Sequence, residues 1–119
     1  MFDIIKTLAQ TFGPSGNEKK VADTISGMLR GKVDEIRTDA MGNLICVKKG
    51  SGKKIMLAAH MDEIGIIVSY IDEKGFLRFG NIGGLPPLII LGQRVVFENG
   101  TVGVIWYEEN IDNMKNVTL

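Results

Sequence analysis

The stretch IMLAAHMDEIGIIV, residues 55–68, contains the only histidine of a 119-residue chain. Five consecutive apolar residues, 55–59, lead into it. Such a run, without alternation, is the pattern of a strand covered on both faces. The expectation is a central strand over KIMLAAH, 54–60, that stops at His60. Side chains two apart on a strand share a face. His60 and Asp62 would therefore project together, and Met61 and Glu63 to the other side. In open α/β sheets, ligands bind beyond the carboxyl ends of the strands. An imidazole there, followed two residues on by a carboxylate, suits a metal: one ring nitrogen binds, and the carboxylate accepts the N–H of the other. The same spacing also suits plain structure, with His60 hydrogen-bonded at a strand end and Asp62 and Glu63 capping a turn before Gly65. Paired acids raise glycoside hydrolysis as well. That chemistry needs two facing carboxyls about 5–9 Å apart, and neighbours on a strand point apart.

Towards the N-terminus the period becomes helical. Ile4, Ile5, Leu8, Ala9 and Phe12 follow the spacing of one buried helical face, which Gly13-Pro14 ends. Ser15 and Glu18 then have the spacing of a capping box. A second helix is expected behind them, with Val21, Ala22, Ile25, Met28 and Leu29 inward and Gly31 closing it. From Val33 the period shortens. VDEIRT and NLICVKKG read as strands joined by a turn in which Gly42 can adopt a positive φ. Cys46 falls in the second of these strands, where packing is expected of it, not nucleophilic chemistry. Helices followed by a doubly covered strand suggest an α/β layer structure.

After Gly65 the pattern is antiparallel. IIVSYID and FLRF form one expected hairpin. GNIGGLPP reads as a loop. QRVVFENGTVGVIWY reads as a second hairpin about Asn99-Gly100, the strongest short turn signal in the chain. This half shows no helical period and suggests a small sheet or barrel. The tail EENIDNMKNVTL is polar and has no closing element. A domain boundary is expected at about residues 65 to 70.

Fourteen basic residues balance fourteen acidic ones. That balance leaves no electrostatic footprint for nucleic acid or an anionic membrane. No apolar run reaches the length of a membrane span. The start, MFDIIKTLAQ, lacks the basic region of a secretory signal. A single cysteine excludes an intrachain disulfide framework and suits a reducing, cytoplasmic setting.

The string AAHMDEIGIIV, together with LAQTFGPSGNEKKV, TDAMGNLICVKKG, GFLRFGNIGG, ILGQRV and VGVI in that order, resembles the glutamyl-aminopeptidase or tetrahedral (TET) aminopeptidase family. These are co-catalytic metallopeptidases, often described as cellulases or endoglucanases. The resemblance runs to about Lys115. It implies a mixed-sheet catalytic α/β domain interrupted by an inserted all-β, barrel-like domain that supports dimerisation. On that basis residues 1–67 correspond to the N-terminal part of the catalytic domain and 68–119 to part of the inserted one. It also implies two divalent metals, zinc or cobalt, a peptide substrate and a homo-oligomer. Carried over residue by residue, His60 matches a metal ligand and Asp62 the carboxylate that orients it. Glu18 falls in a matching Gly-X-Glu region and reads as a helix cap. The family's bridging aspartate, general-base glutamate, other acidic ligands and second histidine have no counterpart in the motif context of Asp72, Glu73, Glu98, Glu108, Glu109 or Asp112. The chain is therefore expected to be the N-terminal part of such an enzyme, inactive alone and without tight metal binding. Two alternatives stand beside the metalloaminopeptidase: a non-catalytic assembly fragment, and a glycoside hydrolase.

Overall fold

A computed structural model of the chain describes residues 1–107. The residues of the polar tail, 108–119, lie outside the described residues, and with them Glu108, Glu109 and Asp112. Two compact units follow one another, the first ending at Glu63 and the second beginning at Ile64. The described architecture is small and mixed α/β, with short two-stranded antiparallel sheets.

In the first unit, helix α1 spans Phe2–Ala9 and α2 spans Lys19–Leu29. The two helices touch, and α2 also contacts strand β2. Val21 on α2, 4% exposed, is the buried hydrophobic side chain of this unit, and Gly13 is buried as well. Phe12, expected on the face of the first helix, lies beyond its end. Its ring instead sits 5.2 Å from the Lys20 ammonium, a cation–π distance. The expected capping box does not form. The N-cap of α2 is Glu18 and makes no side-chain cap bond. Its carboxylate accepts the Gly16 N–H at 2.7 Å, and the Ser15 hydroxyl is committed elsewhere. The hairpin β1 (Glu35–Thr38) and β2 (Leu44–Val47) matches expectation, in the register Ile36 opposite Cys46. Cys46 is half-buried there.

The segment 54–60 is where sequence and structure part. No strand forms over KIMLAAH, and Ile55, Met56 and Leu57 are 84%, 88% and 93% exposed. The physical reason is the absence of cover. A strand apolar on both faces needs a hydrogen-bonded neighbour and helices to pack on it, and no described strand pairs with this one. The apolar run is legible in the sequence; its burial depends on partners.

In the second unit, β3 (Gly65–Ile71) pairs with β4 (Leu77–Ile82), with a register irregularity between Val68 and Tyr70. Strand β4 continues through Gly80–Ile82, into residues expected as loop. A one-turn helix, α3 (Pro87–Ile90), follows. It went unanticipated because four residues are too few to show a helical period, although proline at the first helical position favours such a turn. The last hairpin, β5 (Arg94–Val96) with β6 (Val102–Val104), turns at Asn99-Gly100. Ile90 and Ile105 are buried; across this corner the Gly92 N–H donates to the Ile105 carbonyl, and the Ile105 N–H donates to the Gln93 carbonyl. Apolar side chains of both hairpins, among them Phe79 and Phe97, line a groove. The described strands of this unit form two separate hairpins, not one continuous sheet.

Candidate functional site

The site is built by a short backbone ladder between two segments without regular structure. The loop that stops α1, residues 13–15, runs beside 62–63. The Glu63 N–H donates to the Gly13 carbonyl at 2.9 Å, and the Ser15 N–H donates to the Glu63 carbonyl at 3.2 Å. Pro14 and Glu63 form an isolated parallel bridge. The Glu63 carboxylate turns back and accepts the Gly13 N–H at 3.1 Å. Gly13 and Pro14 thus do more than end a helix: they dock the histidine segment. Nothing in residue spacing announces this pairing, since the two segments are about fifty residues apart. Bonds of this kind are set by tertiary approach.

On this ladder, His60 and Asp62 meet. His60 Nδ1 lies 3.0 Å from Asp62 Oδ1 and 3.1 Å from the Asp62 carbonyl oxygen. Both partners can only accept when the carboxylate is ionised, so the tautomer that makes these bonds carries its proton on Nδ1. The same pairing was expected from two side chains on one strand face; it arises here in an irregular segment, through a local turn of the chain. The other carboxylate oxygen, Asp62 Oδ2, accepts a hydrogen bond from the Ser15 hydroxyl. That bond, then the one from His60, holds the Asp62 carboxyl below its ordinary pKa. Each favours the charged form. The His60 side chain is 86% exposed and that of Asp62 36%, so the imidazole is held by hydrogen bonds and not by packing.

Ser15 is the residue of this cluster that the capping-box expectation misplaced. Its assignment to a capping box used the one strong local signal it carries. Its actual partner is 47 positions away. Glu63 has a structural task, as the acceptor on the Gly13 N–H. Among the described residues, no three of His, Cys, Asp and Glu gather closely enough to hold a metal ion. His60 with Asp62 therefore supplies one oriented donor nitrogen, against the three protein ligands that a catalytic zinc takes.

Comparison with known proteins gives this arrangement a context. A family model described as M42 glutamyl aminopeptidase matches residues 42–115. Over all 119 residues the chain is 54% identical to a protein of Acetivibrio thermocellus named "Putative aminopeptidase", of which it covers 36%. Among solved structures, the TET aminopeptidase of a marine-sediment Thaumarchaeota archaeon superimposes with a TM-score of 0.87 at 33% identity, over 99% of this chain and 35% of that one. A Thermotoga maritima protein described as an endoglucanase gives 0.81 at 44% identity, over 87% and 33%. The TET1 peptidase of Pyrococcus horikoshii, which can assemble into a tetrahedron or a large octahedral shell, gives 0.78 at 30%, over 98% and 36%. The chain spans about a third of the length of these proteins.

Proposed function

Because this chain belongs to the M42 glutamyl aminopeptidase family, we propose that it contributes the His60–Asp62 part of the metal centre of an aminopeptidase, which removes N-terminal residues from peptides. The observation that carries this is the 3.0 Å contact between His60 Nδ1 and Asp62 Oδ1. It commits one ring nitrogen to the carboxylate and leaves Nε2 as the donor, which is the usual arrangement of a metal-bound histidine. Two divalent metals, zinc or cobalt, would supply Lewis acidity for peptide hydrolysis. The described residues fit one donor of such a centre, not the whole of it. His60 would present its nitrogen, Asp62 would orient the ring, and the Glu63 ladder would fix both against the loop at 13–15.

We assign residues 1–67 to the catalytic α/β domain and 68–119 to an inserted β domain that supports homo-oligomer contacts. The TET1 relative, which can assemble into a tetrahedron or a large octahedral shell, supports the homo-oligomer part of this reading. A cytoplasmic setting fits a chain with a single cysteine, and no helix among the described residues is long and apolar enough to cross a membrane.

The test is a chimera in which this sequence replaces the matching segment of the archaeal TET aminopeptidase, with the parent assayed beside it. Aminoacyl anilides with added zinc or cobalt should be cleaved, and His60→Ala should abolish cleavage. A folded chimera that keeps full activity without His60 would sink the assignment. The 119-residue chain by itself should show no turnover, for want of further ligands near His60 among the described residues. A glycosidase reading has the description of the Thermotoga protein in its favour. Against it, Asp62 and Glu63 are each engaged by separate groups, Ser15 and His60 for one and the Gly13 N–H for the other. Cellulose assayed in parallel should remain intact.

A further inference from the structure

The Ser15 hydroxyl bonds to Asp62 Oδ2 while Asp62 Oδ1 bonds to His60 Nδ1. We propose that Ser15 is a positioning residue: through Asp62 it holds His60 in the tautomer that leaves Nε2 unprotonated, as a donor for a divalent cation. This rests on the reading of His60 as a ligand only for what Nε2 binds; the control of the ring is independent of it.

The case starts from exposure. The His60 side chain is 86% exposed, so neighbouring atoms do not fix its ring. Orientation and tautomer must come from hydrogen bonds. Two acceptors face Nδ1, the Asp62 carboxylate and the Asp62 carbonyl. The carboxylate is the stronger, because a bond to an ionised acceptor is roughly twice as strong as one between neutral groups. A carboxylate aims an oxygen at the imidazole only if its own rotation is restrained, and the terminal torsion of aspartate is broad. The Ser15 hydroxyl supplies that restraint by holding the second oxygen. Ser15 is fixed in turn by its own N–H on the Glu63 carbonyl and by the two bonds between Gly13 and Glu63. The chain of constraint runs from backbone ladder to hydroxyl to carboxylate to imidazole. If Ser15 were only a staple between two loops, its removal would loosen the loops and leave the ratio of tautomers as it was.

Since His60 is the only histidine, its ring gives a single set of imidazole signals in long-range 1H–15N correlation spectra. The measurement is made on the 119-residue chain at about pH 8. In the native chain the Nδ1–H form should dominate. In Ser15→Ala the ratio of Nδ1–H to Nε2–H should fall several-fold, the carbonyl acceptor alone sustaining what remains. Ser15→Thr keeps the hydroxyl and should restore the native ratio. Ser15→Cys keeps the size but offers a weak donor, and should fall with Ala; it also decides the matter if the Ala variant does not fold. A native ratio in Ser15→Ala or Ser15→Cys overturns the positioning role. The ligand reading is tested apart from it, by the zinc content of the folded chimera with and without His60→Ala. Equal zinc content would remove the ligand role while leaving the tautomer result intact.

Discussion

Gly13 is held from two directions. Its N–H and carbonyl both bond to Glu63, while a Cβ at this position would meet Val21 Cγ1 at 2.8 Å. Val21 is buried and β-branched, so it has little freedom to turn its methyl away. Glycine is thus required here by close approach, and the loop that carries Ser15 rests directly on buried Val21. Gly13→Ala should destabilise this unit by about 1–3 kcal/mol, the range for overpacking a filled site. Gly52→Ala, where nothing lies within 4 Å of an added Cβ, should be close to neutral. Chemical denaturation followed by circular dichroism compares the two. Equal midpoints would mean that the loop at 13–15 can shift without loss, and with it the geometry at Asp62.

At the scale of the element, three hairpin turns share one construction. The N–H of Asp39, Asp72 and Phe97 donates to the carbonyl of Asn43, Phe76 and Thr101 respectively. Gly42, Gly75 and Gly100 each return an N–H to the first residue of their turn, at φ of 87°, 86° and 87°. A three-residue loop with glycine in the left-handed position is a preferred hairpin connection because its twist suits the flanking strands. Asp39 strengthens the first turn: its carboxylate accepts from the Met41 and Asn43 N–H groups and from the Asn43 amide. The Asn43 side chain foremost, then backbone bonds and the Arg37 charge, hold the Asp39 carboxyl below its ordinary value. A carboxyl lowered on folding adds stability above its unfolded pKa of about 3.9, and that contribution is lost as pH falls through the folded value. The Met41 and Asn43 amide shifts should therefore move together, with a midpoint below about 3.9. In Asp39→Asn, which keeps an acceptor but does not titrate, that step should vanish. A midpoint at or above the ordinary value would contradict the hydrogen-bonding described.

For the whole molecule, the balance of burial decides behaviour. Among the described residues only Val21, Ile90 and Ile105 are buried apolar residues, whereas Ile55, Met56, Leu57, Phe76 and Trp106 are all more than 60% exposed. Large exposed apolar areas mark surfaces that associate, and short two-stranded sheets leave open ladder edges that recruit other chains. The 119-residue chain should therefore self-associate at low micromolar concentration. Because burial and not charge pairing would drive it, association should persist in high salt, where surface charge interactions are screened. Sedimentation velocity at two salt concentrations reads this directly. A monodisperse monomer that unfolds cooperatively would show that these residues find cover within one chain.

Local patterns determined much of this protein. Helical spacing gave α1 and α2, Gly42 and Asn99-Gly100 gave two of the hairpin turns, and the order of motifs around AAHMDEIG gave the family. Each of these signals lies within a few residues, where backbone sterics and side-chain period act directly. Three features were decided by tertiary structure alone. The apolar run before His60 is strand-like in sequence but unpaired, because a ladder needs a neighbour that no local pattern supplies. Ser15 has the local signature of a helix cap, yet its hydroxyl goes to Asp62, a charged acceptor brought in from 47 residues away. The contact between Gly13 and Glu63 that positions both is invisible to any short window. A hydrogen bond depends on where atoms meet, and the approach of two distant loops is a property of the folded chain.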